Sequence, residues 1–92
     1  MRQYNWDDNK NLKLIVSRKI SFEEIVLAIE HGALIDEIEH PNQQKYRGQK
    51  MFIVQVGDYV YLVPYVENEN VLFLKTVIPS RKATKRYLAG GQ

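Results

Sequence analysis

The stretch Ser21-Phe22-Glu23-Glu24-Ile25-Val26-Leu27-Ala28-Ile29-Glu30-His31-Gly32-Ala33-Leu34-Ile35-Asp36-Glu37-Ile38-Glu39 changes its period halfway along. Ser21 with Glu24 three residues later is a capping box. The hydroxyl accepts from the third helical N–H, and the carboxylate reaches back to the Ser21 N–H. Phe22, Ile25, Val26 and Ile29 then fall at i, i+3, i+4 and i+7, one apolar helix face. Gly32 supplies the left-handed residue that ends such a helix, and His31 beside it reads as a helix-end residue. From Leu34 to Glu39 the pattern is strand-like.

On the N-terminal side, Asp7 and Asp8 open an earlier helix. Carboxylates suit its positive end, and Arg18 and Lys19 suit its negative end. Leu12, Ile15 and Val16 are predicted as its buried stripe. Arg2 to Trp6 reads as a short extended arm with Tyr4 and Trp6 on one side, Trp6 going to the core.

On the C-terminal side, a loop from His40 to Gln49 leads into a strand from Met51 to Val56. Gly57-Asp58 fits a two-residue hairpin turn with Gly first. A strand from Tyr59 to Val66, a turn from Glu67 to Asn70 and a strand from Val71 to Ile78 follow. Pro79 ends that strand, Ser80 caps a helix through Leu88, and residues 89–92 read as a frayed tail. The expected class is α+β: two N-terminal helices, an antiparallel meander of about four strands, a possible short N-terminal strand and a short C-terminal helix. Pro64 sits inside a central strand and calls for a bulge. The turns set Val56 opposite Tyr59 and Val66 opposite Val71. Both meander faces are then apolar, one through Phe52, Val54, Tyr61 and Val63, the other through Ile53, Val60, Leu62 and Val77. One face covers the helices; the other needs a protein partner or the terminal helix.

Composition narrows the function classes. A chain of 92 residues, 45% apolar and 26% charged, fits one folded domain and not a disordered segment. The absence of cysteine excludes disulfides, thiolate nucleophiles and cysteine-held zinc, and two histidines argue against a histidine-rich metal site. No cofactor is expected. No apolar run approaches the roughly 20 residues that span a bilayer, and the N-terminus has no leader-like segment, so the expected location is cytoplasmic. Residues 75–92 hold five cations (Lys75, Arg81, Lys82, Lys85, Arg86) and no acid. The rest carries eight cations against eleven acids, a net −3. That asymmetry suits a local anion site and equally a solvated helix.

Three blocks carry a likeness to a known family: Trp6-Asp7-Asp8-Asn9-Lys10, Ile20-Ser21-Phe22-Glu23-Glu24 and Ser80-Arg81-Lys82-Ala83-Thr84. In order and spacing the chain resembles the BrnT toxins of bacterial type II toxin–antitoxin systems along nearly its whole length. It departs from them at Ser17-Arg18-Lys19, where the family often has Lys-His-Gly, at Leu14, where it often has Asn, and in the His40–Lys50 loop. The resemblance implies a fold similar to the RelE-type ribonucleases, metal-independent RNA cleavage and growth arrest. It also implies neutralisation by a cognate, typically DNA-binding antitoxin, with a hetero-oligomer of the two proteins.

Such cleavage uses the RNA 2′-hydroxyl as nucleophile, so the protein supplies a proton acceptor, cations for the phosphate and an acid for the leaving oxygen. Arg81 and Lys82 are the first candidates: a planar fork and a point charge held just after a strand. Ser80 and the first amides of the last helix add donors. His40, an imidazole on a loop beside Pro41 and near Lys45, Arg47 and Lys50, is the better histidine for proton transfer, and Lys50 joins this catalytic set. Lys45, Tyr46 and Arg47 interleave cations with a ring able to stack on a base. Tyr65 and Lys75 are expected to line the same cleft, with Thr84, Lys85 and Arg86 along the helix. Tyr59 and Tyr61 read as packing. Asp36, Glu37 and Glu39 do not form a metal cluster, because alternation splits them; they read as a charged strand edge.

Overall fold

The computed structural model describes residues 2–88, so the tail at 89–92 lies outside the described residues. The elements run β1 (Gln3–Asn5), α1 (Asp8–Arg18), α2 (Phe22–Glu30), β2 (Leu34–Glu39), β3 (Lys50–Val56), β4 (Tyr59–Asn68), β5 (Val71–Leu74), β6 (Ile78–Pro79) and α3 (Arg81–Leu88). The sheet order is β1-β5-β4-β3-β2, with β6 paired to β4. The fold is therefore α+β, with two N-terminal helices, a mixed sheet and a short C-terminal helix. The meander β2-β3-β4-β5 is antiparallel as expected, and the short N-terminal strand β1, for which no pairing is expected, joins parallel to β5 and makes the sheet mixed.

Each helix starts on a side-chain cap. Asp7 accepts from the backbone of Asn9 and Lys10, both halves of the Ser21–Glu24 capping box form, and the Ser80 hydroxyl accepts from the Ala83 N–H. The three blocks that carry the family likeness thus coincide with the three helix starts. Gly57 adopts φ +64° and Asp58 does not turn left-handed, as a Gly-first hairpin requires. Val56 faces Tyr59 as expected.

Four local expectations are corrected. The second hairpin closes between Asn68 and Val71, not Val66 and Val71, because Glu69 takes a left-handed φ of +57° and makes a two-residue turn. The shift is two residues, so the side chains of β5 keep their faces; Val77, expected on the face of Ile53 and Val60, lies beyond β5 and joins the opposite core. Pro64 needs no bulge. Its carbonyl accepts from Lys75 N–H, so its nitrogen points to the edge where β5 ends and β6 has not begun. The expected strand from Val71 to Ile78 breaks there, and Val77 turns into the core. Finally, Leu12, Ile15 and Val16 are not buried: they are 61%, 43% and 75% exposed. Leu14 and Asn11 face inward instead. Asn11 bridges the two helices, accepting from the Phe22 N–H at 2.8 Å and donating to the Glu23 carboxylate at 2.7 Å. Arg18 at the other end donates to the Val77 carbonyl. These ties rotate the 11–14–18 side of α1 toward the sheet.

The sheet has two apolar faces. Phe22, Ile25, Phe52, Val54, Val63 and Tyr65 are among the residues that build the main core under α1 and α2; Trp6 packs against it and stacks on Phe22 at 5.6 Å. Ile53, Val60 and Ala83 form a second core under α3, with Ile38, Leu62, Tyr87 and Leu88 around it. The terminal helix is thus a cover for the second face. The sheet is also strongly curled. β1 and β2 lie at opposite edges, about 19 Å apart if the sheet were flat. Arg2, just before β1, nevertheless reaches Glu37 of β2 at 3.6 Å, and Tyr4 meets Phe52 edge-on at 6.4 Å. No helix among the described residues is long and apolar enough to cross a membrane.

The Asn11 amide bond, followed by Glu23's own backbone N–H, holds the Glu23 carboxyl below its ordinary value despite slight desolvation. A lowered folded value stabilises above the unfolded value, and that gain is lost as pH falls through the lowered folded value. Asn11→Ala, which strips partners from a buried N–H and a carboxylate, is expected to cost about 1–3 kcal/mol at pH 7. In urea denaturation the gap to wild type is expected to narrow as pH drops below 4.

Candidate nucleic-acid interface

Alternation along β3 sends Met51 and Ile53 to the α3 side. There they form the floor of a cleft of about 340 Å³ between α3 and the β2–β3 edge. Ile38 and Pro41 make one wall, and Lys82, Arg86 and Tyr87 of α3 make the other. Lys82 and Arg86 are exposed and lie four residues apart, on one side of the helix. No carboxylate is among the lining residues. Arg86 also lies over the Tyr87 ring at 5.7 Å. Arg81 and Lys85 are exposed on the same helix but do not line the cleft.

Two expected ligand-binding hydroxyls have another job. The Ser80 N–H donates to the Val60 carbonyl at 3.0 Å, while its side chain caps α3. Thr84 Oγ1 accepts from the Val60 N–H at 2.9 Å and donates to the Ser80 carbonyl at 2.7 Å. Both backbone groups of Val60 are thereby satisfied by the first turn of α3. That staple, together with Ala83 packed on Ile53 and Val60, anchors the turn that carries Lys82.

The loop contributes through Pro41. His40 N–H donates to the Gln49 carbonyl and extends the β2–β3 ladder by one residue. Gln43 closes the loop, donating to the His40 and Gln49 carbonyls and accepting from the Gly48 N–H. The His40 ring lies 4.3 Å from the Tyr46 ring, and Lys45 Nζ sits over Tyr46 at 5.3 Å. His40 Nδ1 accepts from the Asn42 N–H at 3.1 Å, which places the proton of the neutral ring on Nε2. Nε2 then donates and does not accept. Arg47 is exposed on this loop.

Three other predicted site residues lie elsewhere. Lys50 and Tyr65 face each other across β3 and β4, on the opposite side of the sheet from α3. Tyr65 is fully buried. Its ring stacks on Phe52 at 4.1 Å and its hydroxyl donates to Glu37. Burial, followed by the Glu37 hydrogen bond and charge, pushes that hydroxyl far above its ordinary pKa, with only Arg2 opposing. Lys75 is exposed beside Phe73, its Nζ 5.5 Å from the ring, away from the cleft lining. Glu37 is more than a strand-edge charge: with Arg2 it ties the curled sheet together. That role was invisible in sequence because its partners are 28 and 35 residues away. Tyr59 and Tyr61 pack on each other, as expected, at 5.7 Å. Among the described residues no group of histidine, aspartate and glutamate could hold a metal ion.

No protein-family model matches the chain, and no curated protein or solved structure matches it.

Thr84→Val keeps the shape but leaves the buried Val60 N–H without its acceptor. The expected loss is about 1–3 kcal/mol. Amide hydrogen exchange is expected to speed up at Val60 and along α3 while Phe52 and Val54 stay protected; equal protection in both proteins would contradict the staple.

Proposed function

We propose that this chain is a BrnT-like toxin with a RelE-like fold, a metal-independent ribonuclease acting on RNA in the cytoplasm and neutralised by a cognate, DNA-binding antitoxin. One observation carries the RNA part of this reading. The cleft under α3 presents Lys82 and Arg86 on one wall, above an apolar floor, with no carboxylate in the lining. An RNA phosphate meets cations there and no opposing charge, and the staple to β4 holds them rigidly. Arg81 and Lys85 extend the positive strip along the exposed side of α3. Cleavage follows from attack of the 2′-hydroxyl on the adjacent phosphorus, leaving a 2′,3′-cyclic phosphate and a free 5′-hydroxyl. The cations' contribution is to stabilise charge gathering on the phosphate.

The antitoxin part has support on α1. Leu12, Ile15 and Val16 are an exposed apolar stretch of α1, and Lys10 and Lys13 line one hollow with Leu12 and Val16. That combination complements an acidic, apolar segment of a partner protein.

A second reading, RNA binding without cleavage, is favoured by one specific feature. The cleft lining holds no histidine or carboxylate, and His40, outside that lining, carries its neutral-ring proton on Nε2 in the tautomer that the Asn42 bond sets.

Incubation of partner-free protein with a labelled structured RNA in excess EDTA separates the two. The ribonuclease reading expects cyclic-phosphate ends from wild type, and at least about tenfold less cleavage from Lys82→Ala and Arg81→Ala. RNA retained in a salt-sensitive complex but left intact supports the binding reading. Neither binding nor cleavage removes both.

A further inference from the structure

We infer that the α3 cleft takes an unstacked nucleobase, so that the RNA it recognises is single-stranded. The inference rests on the RNA reading above and adds the form of the substrate. Its basis is a mismatch between the site's charge and its floor. A site for phosphate alone would be lined by polar donors. Here the cations stand at the wall, and below them lie Met51, Ile53 and Ile38, with Pro41 across from Tyr87. Met51 and Ile53 are 5% and 3% exposed, so the floor is closely packed apolar side chain with no polar group of its own. A ligand that satisfies both halves is anionic at one end and flat and apolar at the other. A nucleotide unit of single-stranded RNA has that form. Its phosphate meets Lys82 or Arg86 and its base enters between Pro41 and Tyr87. A base paired inside a duplex cannot enter, because its faces are already stacked and the narrow A-form major groove keeps side chains out.

The cleft volume, about 340 Å³, lies at the lower end of small-molecule sites, which suits one base and not an extended helix. An acidic apolar peptide shares part of this chemistry but lacks the flat heterocycle that a proline–tyrosine slot fits.

The test measures equilibrium binding by fluorescence anisotropy at one fixed salt concentration. Its probes, all 2′-O-methylated so that cleavage cannot consume them, are a short labelled single strand, the same strand annealed to its complement, and a strand of equal charge in which every base is replaced by an abasic residue. Wild type is expected to bind the single strand about tenfold more tightly than the abasic strand or the duplex. Ile38→Thr, which keeps a β-branched residue at an edge-strand position, and Tyr87→Ala are expected to cut that preference to under about threefold. Equal binding of the three probes would overturn the base pocket while leaving RNA binding in place. No binding of any probe would overturn the RNA reading itself. An acidic, leucine-containing peptide that binds more tightly than the single strand, and is weakened by the same two substitutions, would assign the cleft to a protein and overturn the inference.

Discussion

The β3–β4 hairpin is apolar on both faces, and the rest of the molecule answers that constraint. Phe52, Val54, Val63 and Tyr65 point one way; Ile53, Val60 and Leu62 point the other. Leaving either side in water would expose a continuous apolar patch larger than soluble monomers usually carry. The helices α1 and α2 cover the first face. The second is too small for another pair of helices, and a single two-turn helix, α3, covers it. The staple from Ser80 and Thr84 to Val60 fixes that helix by hydrogen bonds, which are directional where apolar contact is not. The basic residues of α3 therefore stand at a defined place because a hydrophobic face needed a lid.

The first face is finished differently. Around Phe52 and Tyr65 the curled sheet brings its own edges together. Arg2 lies over the Phe52 ring at 5.8 Å and pairs with Glu37, and Glu37 accepts from Tyr65. A buried phenol would be costly without a partner, and Glu37 supplies one while keeping its other oxygen near Arg2. This network explains why a tyrosine stands at a fully buried core position. It also separates the two sides of the sheet in function: an aromatic, internally satisfied side and a basic, open one.

Local features were the readable part of the sequence. The capping box at Ser21, the Gly57 turn, the face assignment of β3 and β4 and the Ser80 cap depend on neighbours within a few residues, and each forms as expected. Features set by distant partners were not readable. The apolar stripe of α1 is Leu12, Ile15 and Val16, yet the side with Leu14 is buried, where Asn11 is tied to α2 and Arg18 to Val77. The parallel pairing of β1 depends on a chain crossing that no local pattern encodes. The same division runs through the site. Lys82 and Arg86 sit on the cleft, as a charge-bearing helix after a strand suggests. Tyr65 and Lys75 are suggested by their strands and Lys50 by its place beside the basic loop, but successive residues of β3 face opposite sides, and that parity takes Lys50 away while Met51 stays. Thr84, chosen as a possible ligand donor, is occupied holding the helix down.

The proposed RNA site lies on the α3 side of the sheet. Amide chemical-shift mapping with a short unlabelled single-stranded RNA tests this most directly, because it reports every surface at once. Shifts concentrated at Ile38, Met51 and Lys82 through Tyr87, with the outer face of α1 and the strand around Tyr65 unmoved, are the expected result. Shifts concentrated instead at Leu12 and Val16, or around Arg2 and Glu37, would contradict it.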